Sequence, residues 1–107
     1  MYHYRAEVER VIDGDTVVLL IDLGLDVSRR ITCRLLGIDA PEMRKESVVA
    51  TESRDHLGRL LAVGPLECRT HKDRTEKYGR YLVELIDANG DSINTRMVED
   101  GYAAQYG

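Results

Sequence analysis

The sequence predicts a mainly β domain of the α+β class: a small five-stranded barrel with a helix between its third and fourth strands and a short helix near the C-terminal end. Three observations carry this prediction. Five short runs read as strands, three by apolar and polar alternation at the two-residue period and the others by apolar, β-branched composition. Turn residues punctuate them at Asp13-Gly14, Gly64-Pro65 and Asn89-Gly90. One stretch, from about Val48 to Ala62, replaces the alternation with apolar residues at helical spacing. At 107 residues, positions 1–107 make one domain with one core.

Strand one is read from Tyr2, Tyr4, Ala6 and Val8, which alternate with His3, Arg5, Glu7 and Glu9. Asp13-Gly14 supplies a tight turn, and Asp15 to Ile21 is a β-branched, apolar second strand. Asp22 to Asp26 is a hairpin loop into the third strand, Val27 to Leu35. There Ile31, Cys33 and Leu35 share one face and Thr32 and Arg34 the other. Gly37 and Pro41 end the strand and leave Asp39 and Glu42 on a short turn, stiffened by the fixed φ of proline.

After a polar stretch from Met43 to Ser47, Val49, Leu57, Leu60 and Leu61 set the helix, which Gly64-Pro65 stops. Gly58 weakens it by about 1 kcal/mol relative to alanine. Leu66 to His71 alternates as a fourth strand, Lys72 to Gly79 is a charged loop, and Tyr81 to Ile86 is the fifth strand. Ala88 to Asp91 carries a strong hairpin signal. A short helix runs from about Thr95 to Asp100, with Gly101 in the C-cap role. Strands and helices in this order describe a partly open Greek-key barrel of the OB type, a form that removes most exposed sheet edges. Another small α+β barrel is the alternative.

Composition narrows the function. The net charge of −4 and the isoelectric point near 5.3 exclude a broad basic footprint, so any polyanion must be bound by a local cluster. The longest apolar run, Val17 to Ile21, is too short to span a bilayer. Met1 to Arg5 lacks the basic and then apolar layout of a secretion signal, which places the chain in the cytoplasm, or outside it with a signal already removed. Cys33 and Cys68 have no CxxC spacing and read as buried reduced thiols, with a disulfide only if their strands are adjacent. His3, His56 and His71 are too scattered for a ligand set.

Three patches are chemically loaded: Asp13-Gly14-Asp15-Thr16, the run from Arg34 through Asp39 to Glu42, and Lys77-Tyr78-Gly79-Arg80. Each alone reads as a turn or a surface loop. Their chemistry is nevertheless complementary, because carboxylates on a stiff turn suit a hard cation and arginines suit phosphate oxygens.

Taken in order, Val11 to Val17, Arg34 to Glu42 and Lys77 to Arg80 resemble the three signature segments of the staphylococcal nuclease (thermonuclease) family, and the similarity runs from about Val8 to Tyr102. The resemblance implies a calcium-dependent phosphodiesterase that hydrolyses DNA and RNA, prefers single strands and leaves 3′-phosphate and 5′-hydroxyl ends. It implies that Asp15, Asp39 and the backbone carbonyl of Ala40 hold the calcium, and that Glu42 orients or deprotonates the attacking water. Arg34 and Arg80 would clamp the scissile phosphate, Lys77 and Tyr78 would contact a neighbouring phosphate, and Asp13 and Thr16 would support the metal carboxylate. Where the family often has threonine this chain has Ala40, which keeps the carbonyl and loses a side-chain contact. The expected partner is nucleic acid, with no membrane and a monomeric chain. Tyr102 and Tyr106 remain open between stacking on bases and packing at the barrel end. The alternative function, a non-catalytic OB-fold nucleic-acid-binding module, predicts missing acids or arginines, whereas Asp15, Arg34, Asp39, Glu42 and Arg80 are all present.

Overall fold

The computed structural model describes residues 2–42, 47–75 and 79–106, with side chains for all of these but 71–75. Seven strands and two helices follow in the order β1 (Tyr2–Asp13), β2 (Thr16–Asp22), β3 (Ser28–Leu35), β4 (Ile38–Asp39), α1 (Val48–Leu61), β5 (Leu66–Thr75), β6 (Tyr81–Ile86), α2 (Ile93–Glu99) and β7 (Ala104–Gln105). Five of the strands form a closed barrel in the order β1-β2-β3-β6-β5, because β1 pairs with both β2 and β5. A short parallel ladder between Cys33–Leu35 and Tyr81–Val83 seals the place where an open barrel would gape. The predicted five-stranded OB-type architecture is therefore present.

The two-residue side-chain period of the strands is what fills the barrel. Val17, Leu19 and Ile21 of β2, Cys33 and Leu35 of β3, Cys68 of β5, and Val83 and Leu85 of β6 all point inward and are buried. Leu57 and Leu61 of α1 and Ile93 and Met97 of α2 complete the core. β1 is longer than its alternation suggests: a shift of register between Val8 and Arg10 switches parity, so Val11 returns to the core.

α1 shows Ala50, Ser53, Leu57 and Leu61 to the core and leaves Val49 exposed, so Val49 does not belong to the apolar face assigned to it. Ser47 caps its start, accepting from the Ala50 N–H at 3.3 Å. The charged stretch after His71 begins as strand, not loop, since β5 runs on to Thr75 and pairs there with Tyr81. The Ala88–Asp91 hairpin is cut to a single bridge between Ile86 and Ser92. Ser92 stops the ladder by capping α2, accepting from the Thr95 N–H at 3.2 Å, so this helix starts two residues before Thr95, at Ile93. At its end Gly101, with φ of +84°, donates to Val98 O while Tyr102 N–H reaches Met97 O, the paired bonds of a Schellman turn. Cys33 and Cys68 are free and buried, and β6 lies between their strands. Among the described residues no helix is long and apolar enough to cross a membrane.

Candidate functional site

The site is built at the end of the barrel where β2 begins and β3 ends. Thr16 and Arg34 are cross-strand partners, which puts their side chains on one face of the sheet. Leu35 N–H bonds Asp15 O at 2.8 Å and fixes the β1–β2 turn against β3. Gly37, at φ of +82°, then reverses the chain, a conformation that side chains rarely adopt. The reversal brings β4 back past Arg34, where it pairs with β7, Ile38 opposite Gln105 and Asp39 opposite Ala104. Tyr106 N–H bonds Gly37 O at 2.8 Å and ties the last described residues to the same turn. Neither β4 nor β7 has an alternation to betray it, since each is two residues long.

A chain of hydrogen bonds results. Asp15 is buried, and its Oδ1 accepts from the Thr16 hydroxyl at 2.9 Å. Its Oδ2 accepts from the Ala40 N–H at 2.9 Å and from Arg34 Nη2 at 3.3 Å. The same Nη2 donates to Asp39 Oδ1 at 2.9 Å, so one nitrogen joins the two carboxylates. Arg80 Nη1 donates to the Thr16 hydroxyl oxygen at 3.3 Å and brings a second guanidinium to the cluster. The Tyr106 ring lies over Arg34, 5.4 Å from Cζ to centroid.

Burial pushes the Asp15 carboxyl above its usual range, against the Ala40 N–H, the Thr16 hydroxyl and Arg34, which all favour the charged form; the Asp13 carboxylate adds to the rise. Burial wins because the carboxylate is almost cut off from water while its guanidinium is shared. The Asp39 side chain, by contrast with buried Asp15, is 58% exposed to water.

Two supports lie behind the turn. A Cβ at Gly14 would fall 1.9 Å from Ser53 Oγ and 2.9 Å from Ala40 Cβ, so this glycine is required by the close approach of α1 and the Ala40 loop. Ser53 in turn donates to Tyr102 O at 2.7 Å, linking α1 to the segment that enters β7. Buried Asn94 of α2 donates to Leu36 O at 2.9 Å and Val83 O at 3.0 Å, and accepts from Leu85 N–H at 3.1 Å. It thereby fastens the β3–β4 turn to β6 with every polar atom engaged.

Of the residues singled out by sequence, Asp15, Thr16, Arg34, Asp39, Ala40 and Arg80 come together in this cluster. Asp13 stands next to it at the end of β1, paired in register with Thr16. Glu42 is exposed beyond Pro41, at the outer end of the turn. Lys77 and Tyr78 lie outside the described residues. Tyr102 is packed, its ring stacked on His56 at 4.0 Å between centroids, whereas Tyr106 is exposed at the site. Ser53 and Asn94 are the supports that no motif announces, whereas Tyr106, which the sequence leaves open between stacking and packing, lies over Arg34. Gly14 is marked by the Asp13–Thr16 motif and by the turn it occupies. A groove of about 570 Å³ runs from Asp39 and Ala40 between α1 and the Gly101–Ala104 segment.

Comparison with known proteins finds relatives along nearly the whole chain. The chain is 33% identical over 102 residues to an uncharacterized endonuclease of Escherichia coli, covering 95% of this chain and 61% of that protein. It is 31% identical over 111 residues to the micrococcal nuclease of Shigella flexneri, with 96% and 59% covered. It is 28% identical over 113 residues to endonuclease YhcR of Bacillus subtilis, where 96% of this chain matches 9% of the other. The chain thus spans about three fifths of the first two relatives and a small part of the third. The sequence profile described as staphylococcal nuclease homologue matches residues 32–107, from the middle of β3 onward and including Arg34, Asp39 and Arg80. On the strength of that match, the chain belongs to the staphylococcal nuclease homologue family.

Proposed function

We propose that this domain is a calcium-dependent nuclease that hydrolyses phosphodiester bonds in DNA and RNA, prefers single strands, and leaves 3′-phosphate and 5′-hydroxyl ends. The observation that carries the reading is the continuous cluster Asp39–Arg34–Asp15–Thr16–Arg80, which gathers two carboxylates and two guanidinium groups at one end of β2 and β3. A binding module has no need of the buried carboxylate, whereas phosphodiester hydrolysis needs both signs of charge side by side.

The donor set suits a hard cation. Among the described residues no group of three or more His, Cys, Asp or Glu gathers to hold a metal. Two carboxylates do converge, each bonding the same guanidinium nitrogen. Calcium takes about six to eight oxygen ligands, so Asp15, Asp39 and the Ala40 carbonyl would leave room for water and a phosphate oxygen. Bound there, it would supply a Lewis acid for the phosphate and a template for the water.

The chain's own residues supply the rest. Arg34 and Arg80 bind the non-bridging phosphate oxygens and neutralise the charge that grows in the five-coordinate transition state. Glu42, at the exposed end of the turn, orients a water and accepts its proton as the new P–O bond forms. The bond from phosphorus to the 5′ oxygen breaks, that oxygen takes a proton, and the phosphate stays on the 3′ side. Thr16 holds Asp15, Asp13 stands behind the pair and adds negative charge to the cation site, and Lys77 and Tyr78 take the neighbouring phosphate. A shallow barrel face admits splayed single-stranded bases more readily than a duplex.

The test is release of acid-soluble nucleotides from single-stranded DNA and from RNA, with calcium, with magnesium and with chelator, for wild type beside Glu42→Gln and Arg80→Ala. Calcium-dependent release that collapses in both variants is expected. Binding of the same strands with no release under any condition overturns the reading and leaves a binding module.

A further inference from the structure

In this arrangement Arg34 is turned to the carboxylates, not to a phosphate. Both hydrogens of Nη2 are committed, one to Asp39 Oδ1 at 2.9 Å and one toward Asp15 Oδ2 at 3.3 Å. The side chain is only 16% exposed and lies under the Tyr106 ring. A guanidinium grips phosphate through two parallel N–H bonds, so an arginine spent on carboxylates has at most part of its fork to offer. The carboxylates need it in turn. A buried carboxylate without a counter-charge is expensive, and removal of one partner of such a pair is strongly destabilising.

We propose that Arg34 is an exchangeable internal counter-cation: it neutralises Asp15 and Asp39 while no divalent cation is bound, is displaced from those oxygens by the cation, and only then becomes free to grip phosphate. The inference rests on the cation-dependent reading above. It makes cation and phosphate binding mutually strengthening by linkage, with Arg34 as the carrier of the coupling. It also makes Arg34 a competitor: wild-type affinity for the cation alone is held down by the guanidinium that has to leave.

The test is calorimetric titration of calcium into the whole 107-residue chain, with and without thymidine 5′-monophosphate as the phosphate probe, for wild type, Arg34→Gln and Arg80→Gln. Arg80→Gln removes the same charge from the neighbouring guanidinium, which bonds the Thr16 hydroxyl. The expected result is that Arg34→Gln tightens calcium binding about tenfold more than Arg80→Gln does. The nucleotide should strengthen calcium binding about fivefold or more in wild type, and this coupling should vanish in Arg34→Gln. Equal tightening by both variants is a bulk-charge effect and overturns the exchange. Calcium binding that Arg34→Gln leaves unchanged overturns it too, while the cation-dependent reading survives. No calcium binding by wild type or either variant removes both. Should Arg34→Gln not fold, the Arg34 side-chain NH signals of wild type decide: they must shift on addition of calcium alone, and signals that stay put overturn the proposal.

Discussion

Cys33 and Arg34 are neighbours on β3, yet they belong to different chemistries. On the inner face the Cys33 and Leu35 side chains are 1% and 0% exposed and belong to the barrel core. Burial pushes the Cys33 thiol up to about 12, which keeps it protonated and unreactive. On the outer face Arg34 is shared between two carboxylates and an aromatic ring. The difference teaches how so small a domain can keep a charged cluster: the two-residue period of one strand hands alternate residues to stability and to chemistry. Substitutions one position apart should therefore move different observables.

The largest effect belongs to the outer face. Arg34→Gln is expected to lower the rate of phosphodiester hydrolysis about 10²- to 10³-fold, the range for a preorganised donor to a developing charge. Single-turnover rates at saturating calcium measure it, and a loss under about threefold would break the division between the faces. Leu35→Ala is the inner-face counterpart. Leu35 is fully buried, and truncation should cost about 3 kcal/mol through lost transfer energy and the cavity left behind. Urea unfolding reads this directly, and the rate per folded molecule should stay near wild type.

The same division explains how much was legible in the sequence. Strands β1, β3 and β5 announce themselves by alternation and β2 by its β-branched, apolar run, and the three motif segments single out Asp15, Arg34, Asp39 and Arg80 by residue type and order along the chain. What stays hidden is contact made by short or parity-breaking pieces. The β4–β7 ladder is two residues long on each side, too short for a period, although it is what carries Asp39 back to Arg34. Ser53 and Asn94 are polar residues without a motif around them, and each is buried because it bonds a specific backbone group. The hairpin signal at Asn89-Gly90 is answered by a tight turn, but Ser92 starts a helix before a second strand can grow.

Gly14→Ala sharpens the comparison at a point where the two faces meet. An added methyl would collide with Ser53 Oγ and press on Ala40 Cβ, and the helix and the site loop would have to give way together. Overpacking of this kind costs about 1–3 kcal/mol, and here it should lower hydrolysis as well, since Ala40 N–H holds Asp15. Ser53→Gly in the same background should recover much of the stability by removing the obstructing hydroxymethyl. Loss of stability with full activity would mean that the Ala40 loop is not coupled to its support.

The smallest effect lies on the helical rim, which belongs to neither face. His56 Nε2 bonds Asp100 Oδ2 at 2.8 Å and its ring stacks on Tyr102, whose chain leads into β7. The hydrogen bond to His56, with help from Arg96 3.7 Å away, holds the Asp100 carboxyl below its ordinary value of 3.8. The folded state therefore binds the Asp100 proton less readily than the unfolded chain. The stabilisation is complete above the ordinary carboxylate range and is lost as pH falls through the lowered folded value. Melting temperature followed from neutral into acid should fall more for wild type than for Asp100→Asn, which has no proton to take up at that position. Identical acid profiles would leave the His56–Asp100 bond without energetic consequence, and the packing of Tyr102 on the His56 ring would then be what ties the two helices to the site-bearing segment.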